Sequence, residues 1–180
     1  MTAANLQWTC NRAYKGRFHI GPEARATMLG FLQHGPRMFE AGGVLIGRHL
    51  IGGEDIIVDQ VTTPLRGDKR SRFSFYRAHK RHQRAVDRAW KASGGVYTYL
   101  GEWHTHAEPV PTPSGLDERE RIRILETAQC SHPIFFVVLG TESARIWEVA
   151  SFDDFQEIHP EGKTDDIPRA VVASSSELHT

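Results

Sequence analysis

The sequence lacks the features that would tie it to an extracellular scaffold, a membrane or a nucleic acid. Only two cysteines occur in 180 residues, Cys10 and Cys130, and no Cys-x-x-Cys pair is present. A disulfide framework is unsupported, and a reducing cytoplasm is the expected location. No apolar run approaches the roughly 18 residues a membrane span requires, and the N-terminus has no secretory pattern. Neither charge is in excess: 22 Lys plus Arg balance 22 Asp plus Glu. No strong field therefore steers the chain to nucleic acid or membrane. Repeats, long linkers, a Walker loop and a Gly-x-Gly-x-x-Gly turn are all missing, which removes phosphate-loop and dinucleotide chemistry. The length suits one domain able to bury a core without staples.

What is present centres on the stretch from Gly101 to Asp117. An apolar, β-prone run from Val96 to Trp103 leads into His104 and His106, and side chains two apart on a strand share a face, so both imidazoles reach one ion. Pro109, Pro111 and Pro113 then impose a stiff extended loop that cannot continue a sheet. The loop ends at Ser114-Gly115-Leu116-Asp117, ahead of a helix expected over Glu118 to Gln129. Ser114 and Asp117 have capping-box spacing, and the loop returns Asp117 towards the histidines. Two neutral nitrogens and one carboxylate leave a tetrahedral zinc with one open position, the arrangement of a catalytic site. Glu102 and Thr105 are assigned the face opposite the ligands, in a structural role or as a supporting hydrogen bond to an imidazole.

A second element lies upstream at Glu40-Ala41-Gly42-Gly43-Val44-Leu45-Ile46-Gly47. It is a carboxylate followed by a short buried strand with three glycines, which mark close approach of another backbone or a ligand. A carboxylate beside a metal-activated water is what a metallohydrolase needs as its general base.

Taken together, Glu40, Gly43, Leu45, Gly47, His104, His106, Ser114 and Asp117 resemble the JAMM motif of the JAB/MPN metalloprotease family. The family places Pro after the second His, where this chain has Ala107. The resemblance spans roughly Phe18 to Phe155. It implies an α/β fold with a mixed β-sheet flanked by helices on both faces, the cytidine-deaminase-like αβα sandwich. It also implies one zinc per chain on His104, His106 and Asp117, with Glu40 as general base and Ser114 as the oxyanion donor. Arg70-Ser71-Arg72-Phe73-Ser74-Phe75, His82-Gln83 and the run into His104 are most similar to small stand-alone bacterial members. Those accompany E1- and E2-like enzymes in antiphage operons, including CBASS, and the resemblance implies removal of a ubiquitin-like protein or a CD-NTase from its conjugates. The alternative from another class is a non-catalytic MPN scaffold that binds a pathway partner, a type that has lost ligands this chain retains. A zinc deaminase would need His-x-Glu together with a distant Pro-Cys-x-x-Cys, and no Pro-Cys-x-x-Cys occurs.

In chain order, residues 1 to 16 read as mixed and polar, with Trp8 and Tyr14 as docking aromatics. Phe18 to Ile20 reads as a strand, and a helix from Glu23 carries Ala24, Met28, Phe31 and Leu32 to a stop at Gly35-Pro36. Val44 to Ile46 and Ile56 to Thr62 form a hairpin across Gly52-Gly53. Phe73 to Tyr76 is a further strand after a charged turn, Arg66 to Arg70. A basic helix spans Ala78 to Ser93, with Ala78, Ala85, Val86, Ala89 and Trp90 on one side, and His79 and His82 read as a solvated pair rather than a chelate. Gly94-Gly95 ends it. After the site, a helix runs to Cys130-Ser131, Pro133 to Leu139 is a central strand buried on both faces, and Ala144 to Ala150 pairs with it. Phe152 to Ile158 is a last strand or helix. The domain is set at 1–158, with a flexible tail over 159–180.

Overall fold

A computed structural model describes residues 8–127 and 132–161. Along them run β1 (Trp8–Asn11), β2 (Arg17–Ile20), α1 (Pro22–Leu29), β3 (Gly42–His49), β4 (Ile56–Val61), β5 (Lys69–Ser71), β6 (Ser74–Tyr76), α2 (His79–Ala92), β7 (Thr98–Thr105), α3 (Gly115–Thr127), β8 (Ile134–Leu139), β9 (Ala144–Ser151) and β10 (Asp154–Ile158). Eight strands build one mixed sheet in the order β1-β2-β4-β3-β7-β8-β9-β10, and β5-β6 stand apart as a hairpin. Parallel pairing joins β2 to β4 and β7 to β8; the other pairs are antiparallel.

The centre of the sheet explains its sequence. All six residues of β8 are buried, because the two faces of the strand enter different cores. Phe135, Val137 and Leu139 join the cluster that holds Ala24 and Met28 of α1, whereas Ile134, Phe136 and Val138 pack with Ile124 of α3. Val86 of α2 lies on Val44 and Ile46 of β3. One helix thus covers one face and two cover the other, the mixed sheet with helices on both faces that the strand and helix order implies.

The sheet is strongly curled. Phe18 on β2 and Phe135 on β8 stack with ring centroids 4.0 Å apart, although three strands separate them in the sheet order. Beyond β10 the chain meets the opposite edge: Pro160 bridges Cys10, and the Glu161 amide donates to the Thr9 carbonyl at 2.6 Å. Arg12 ties the same seam by donating to the fully buried Glu148 carboxylate.

Several expectations are corrected. Residues 8–11 form an edge strand, and Trp8 is buried rather than presented for docking, with the Arg25 guanidinium 4.8 Å from its ring centroid. Tyr14 is exposed but hydrogen-bonds to Asp154. Helix α1 stops at Leu29 rather than at Gly35, because the next residues turn to bury Leu32 and Gln33. Trp90, assigned to the packed side of α2, is 53% exposed, while His82, assigned to the solvated side, is fully buried. The charged turn at Arg66 to Arg70 ends in β5, which pairs with β6. The segment 152–158 resolves as the strand β10. Cys130 and the tail beyond residue 161 lie outside the described residues. Among the described residues, no helix is long and apolar enough to cross a membrane.

Candidate metal centre

Strand β7 sets the first two donors. Gly42 of β3 lies opposite His104 on one side and Val138 of β8 on the other. The His106 amide continues the pairing by donating to the Leu139 carbonyl at 2.8 Å. Opposite His104 only glycine fits, since a Cβ at Gly42 would lie 2.6 Å from the Phe75 ring and from the Trp103 carbonyl.

The proline loop returns the third donor by lying on the β8–β9 turn. The Glu108 carbonyl accepts from the Thr141 amide at 2.7 Å, and the Pro109 carbonyl accepts from the Glu142 and Ser143 amides at 3.1 Å each. At the loop's end Ser114 caps α3: its hydroxyl and its amide both donate to Asp117 Oδ2 at 2.6 Å. The capping box and the delivery of Asp117 are thus one structure.

The donors converge. His104 Nε2 and His106 Nε2 lie 3.1 Å apart, and Asp117 stands 3.2 Å from the first and 3.4 Å from the second. His104 faces Asp117 Oδ1 and His106 faces Oδ2; the two imidazole nitrogens stand close to the roughly 3.3 Å that separates donors on a tetrahedral zinc, and the ligand atoms of all three residues lie within 4.8 Å of one another. The charge pattern agrees. Burial opposes protonation of His106, but hydrogen bonds with Asp117 and Glu108 outweigh it and raise its pKa to about 9. Burial also works against the Asp117 anion, yet His104, His106 and Ser114 hold that carboxyl far below the usual range. Such a cluster draws positive charge, a proton or a cation, onto the nitrogens.

Glu40 is buried beside this cluster. Its amide donates to the Ser71 carbonyl at 2.8 Å, and Arg70 Nε donates to its carbonyl at 2.6 Å, so the β5–β6 hairpin clamps its backbone. Burial lifts its carboxyl to about 7, with His106 pulling down and Asp117 and Glu108 pushing up. Glu40, His106, Glu108 and Ser114 line one cleft, of about 260 Å³, with Phe73 at its rim. On the other side, His104 and Asp117 line a pocket walled by Phe75, Tyr76 and Trp147. All five residues singled out in the sequence therefore border one locus.

Some neighbours were placed elsewhere or unseen in the sequence. Thr105 does face away, accepting from the Ala41 amide and donating to Gln33. Glu102 does not: it lines the pocket with His104 and pairs with the buried Arg77 and with Tyr99, as residues two apart on a strand must. His82 is no partner of His79; its Nδ1 shares a hydrogen bond with the Thr62 hydroxyl at 2.6 Å and its Nε2 faces Asp68 at 3.2 Å. Asp68 also accepts from the Leu65 and Ala78 amides, so this buried set ties the base of the hairpin to α2 and β4. Glu108, two residues past His106, bonds its Nδ1. No periodicity in an irregular loop signals such a contact.

A curled mixed sheet that gathers two imidazoles and a carboxylate, with a buried second carboxylate alongside, offers the donor types that a metallohydrolase uses. The chain belongs to the prokaryotic homologs of the JAB domain, whose family model matches residues 31–153. It is 35% identical to a CD-NTase/cGAS isopeptidase of Pseudomonas aeruginosa, over 68% of this chain and 78% of that protein. A CD-NTase/cGAS isopeptidase of Vibrio cholerae is 42% identical, over 43% of this chain and 49% of that one. A probable metalloprotease of Sinorhizobium fredii is 31% identical, over 56% and 63%. Among solved structures, a protein from Desulfitobacterium hafniense shares the fold with a TM-score of 0.54 at 23% identity, covering 77% of this chain and 87% of that one.

Proposed function

We propose that this protein is a zinc-dependent isopeptidase that removes a ubiquitin-like modifier or a conjugated CD-NTase from target lysines. In this reading it acts in the cytoplasm on conjugates made by E1- and E2-like enzymes. The observation that carries the reading is the convergence of His104, His106 and Asp117, 3.1–3.4 Å apart, next to the buried Glu40. Relatives named as isopeptidases support it.

His104, His106 and Asp117 would hold the ion. A bound zinc supplies Lewis acidity and lowers the pKa of water from 15.7 towards about 7. Glu40, poised near 7, takes the proton from the attacking water as the C–O bond forms. It then delivers that proton to the lysine nitrogen as the C–N bond breaks, leaving a free amine and a carboxylate. The Ser114 hydroxyl lines the same cleft and donates to Asp117 Oδ2; turned from that carboxylate it would stabilise the oxyanion.

The substrate tail would run extended along β6, with a small side chain entering the pocket between β6 and the start of α3. Among the described strands β6 pairs only with β5, so its other edge is open to strand addition. The free space there is about 50 Å³, enough for a water or a methyl group, which favours small residues beside the scissile bond.

The test is cleavage of a CD-NTase or ubiquitin-like modifier fused through its carboxyl terminus to a reporter, followed by mass spectrometry. We expect about one zinc per chain by elemental analysis and a single cut after the terminal residue of the modifier. Chelation should abolish the cut, and His104→Ala and Asp117→Ala should lose the zinc. Scattered cuts, cleavage that survives chelation, or tight binding without cleavage as a scaffold would show, each sink the reading.

A further inference from the structure

The ion proposed above is bound through His106 Nε2, so the opposite ring nitrogen must carry the proton and have an acceptor. Glu108 Oε1 lies 3.1 Å from His106 Nδ1, and the same oxygen accepts from the Thr112 amide at 2.6 Å. The Glu108 backbone is fixed independently by the Thr141 amide on the β8–β9 turn. The acceptor is therefore held by the fold and by the far end of the loop that leads to Ser114 and Asp117.

We propose that Glu108 is the positioning residue of the metal centre. Its carboxylate accepts the Nδ1 proton of His106, fixes the tautomer that leaves Nε2 free to ligate, and sets the ring plane. Through Thr112 it couples this orientation to the loop that supplies the third donor. Glu102, the carboxylate nearest His104 in sequence, is committed to Arg77 and Tyr99 instead. The side chain of Glu108 is 43% exposed, so little of the core depends on it and its replacement leaves the fold standing.

This inference rests on the metal reading, and its test separates the two. Zinc affinity is measured by competition with a chromogenic chelator, and the His106 ring nitrogens of the zinc-loaded protein are followed by nitrogen NMR. Glu108→Ala is expected to weaken zinc binding by roughly 10- to 100-fold, the usual effect of losing such a partner, and to lose the slowly exchanging Nδ1 proton. Glu108→Gln keeps an acceptor oxygen and should recover most of both. Wild-type affinity in Glu108→Ala, or an unchanged Nδ1 proton signal, overturns the proposal while leaving the metal reading intact. A wild-type protein that binds no zinc overturns both.

Discussion

Burial of a single carboxyl carries the residue-scale chemistry. Desolvation lifts Glu40 to about 7 against the pull of a positively charged His106, and a cation held by His104, His106 and Asp117 would keep the sign of the charge that Glu40 faces while adding to its pull. Below about 7 the carboxyl is protonated and accepts nothing; above it the anion is available. The expected kcat/KM therefore rises with pH through a midpoint at or below about 7, lower still with a divalent cation beside the carboxyl, and then levels off. Glu40→Gln should retain its zinc, lower kcat by roughly 10²- to 10⁴-fold and lose the rising limb. Parallel pH–rate profiles and elemental analysis check this, and a variant that kept the limb would assign it to another group. Glu40 and the three donors were legible because each sits in a short pattern with fixed spacing. His82 was not: at three residues from His79 it looks like half of an exposed pair, and only the packing of α2 against Thr62 and Asp68 buries it.

At the scale of elements, glycine positions the strands that carry the site. The pairing of β3 with β7 shifts register between Leu45 and Ile46, so Leu100 is the extra residue of a bulge beside Gly101. Gly101 takes φ +144°, and a Cβ there would overlap the Phe135 carbonyl of β8. A bulge re-aims the residues that follow it, here Glu102 and His104. Gly101→Ala is expected to cost about 2–4 kcal/mol, combining backbone strain with overpacking, and to weaken zinc binding by displacing His104. Urea unfolding with chelator competition measures both, and full stability with full affinity would remove Gly101 from this role. The strand glycines were readable as close-approach positions. The β5–β6 hairpin was read as a turn followed by a strand, because β5 is charged and exposed along its length and, among the described strands, pairs only with β6.

For the whole molecule, the seam between the two ends of the curled sheet is what makes the fold one unit. Arg12 and Glu148 are 8% and 0% exposed and 2.7 Å apart, and Glu148 also accepts from the Ala13 amide at 2.8 Å. Removing one partner strands the other in the interior, so Arg12→Ala should lower stability by about 3–5 kcal/mol. Replacing both with apolar residues of similar volume should cost much less. Denaturant unfolding of the single and double variants discriminates, and equal losses in the two would mean that packing rather than charge holds the seam.

The amino-acid sequence alone determined the candidate donors and the candidate carboxylate beside them, the alternation of strands and helices, and the strand buried on both faces. Each of these follows from backbone periodicity or from rigid spacing over a few residues: His-x-His on a strand, prolines that forbid pairing, a cap that starts a helix. Tertiary structure decided which groups meet across the chain. Glu40 is brought to His106 by the register of β3 on β7. Trp8 and His82 are hidden by neighbours distant in sequence, Glu102 is given to Arg77, and Glu108 is turned onto Nδ1 by a loop resting on the β8–β9 turn. Such contacts depend on sheet curvature and strand register, which arise from the packing of the whole core and leave no mark in the spacing of nearby residues.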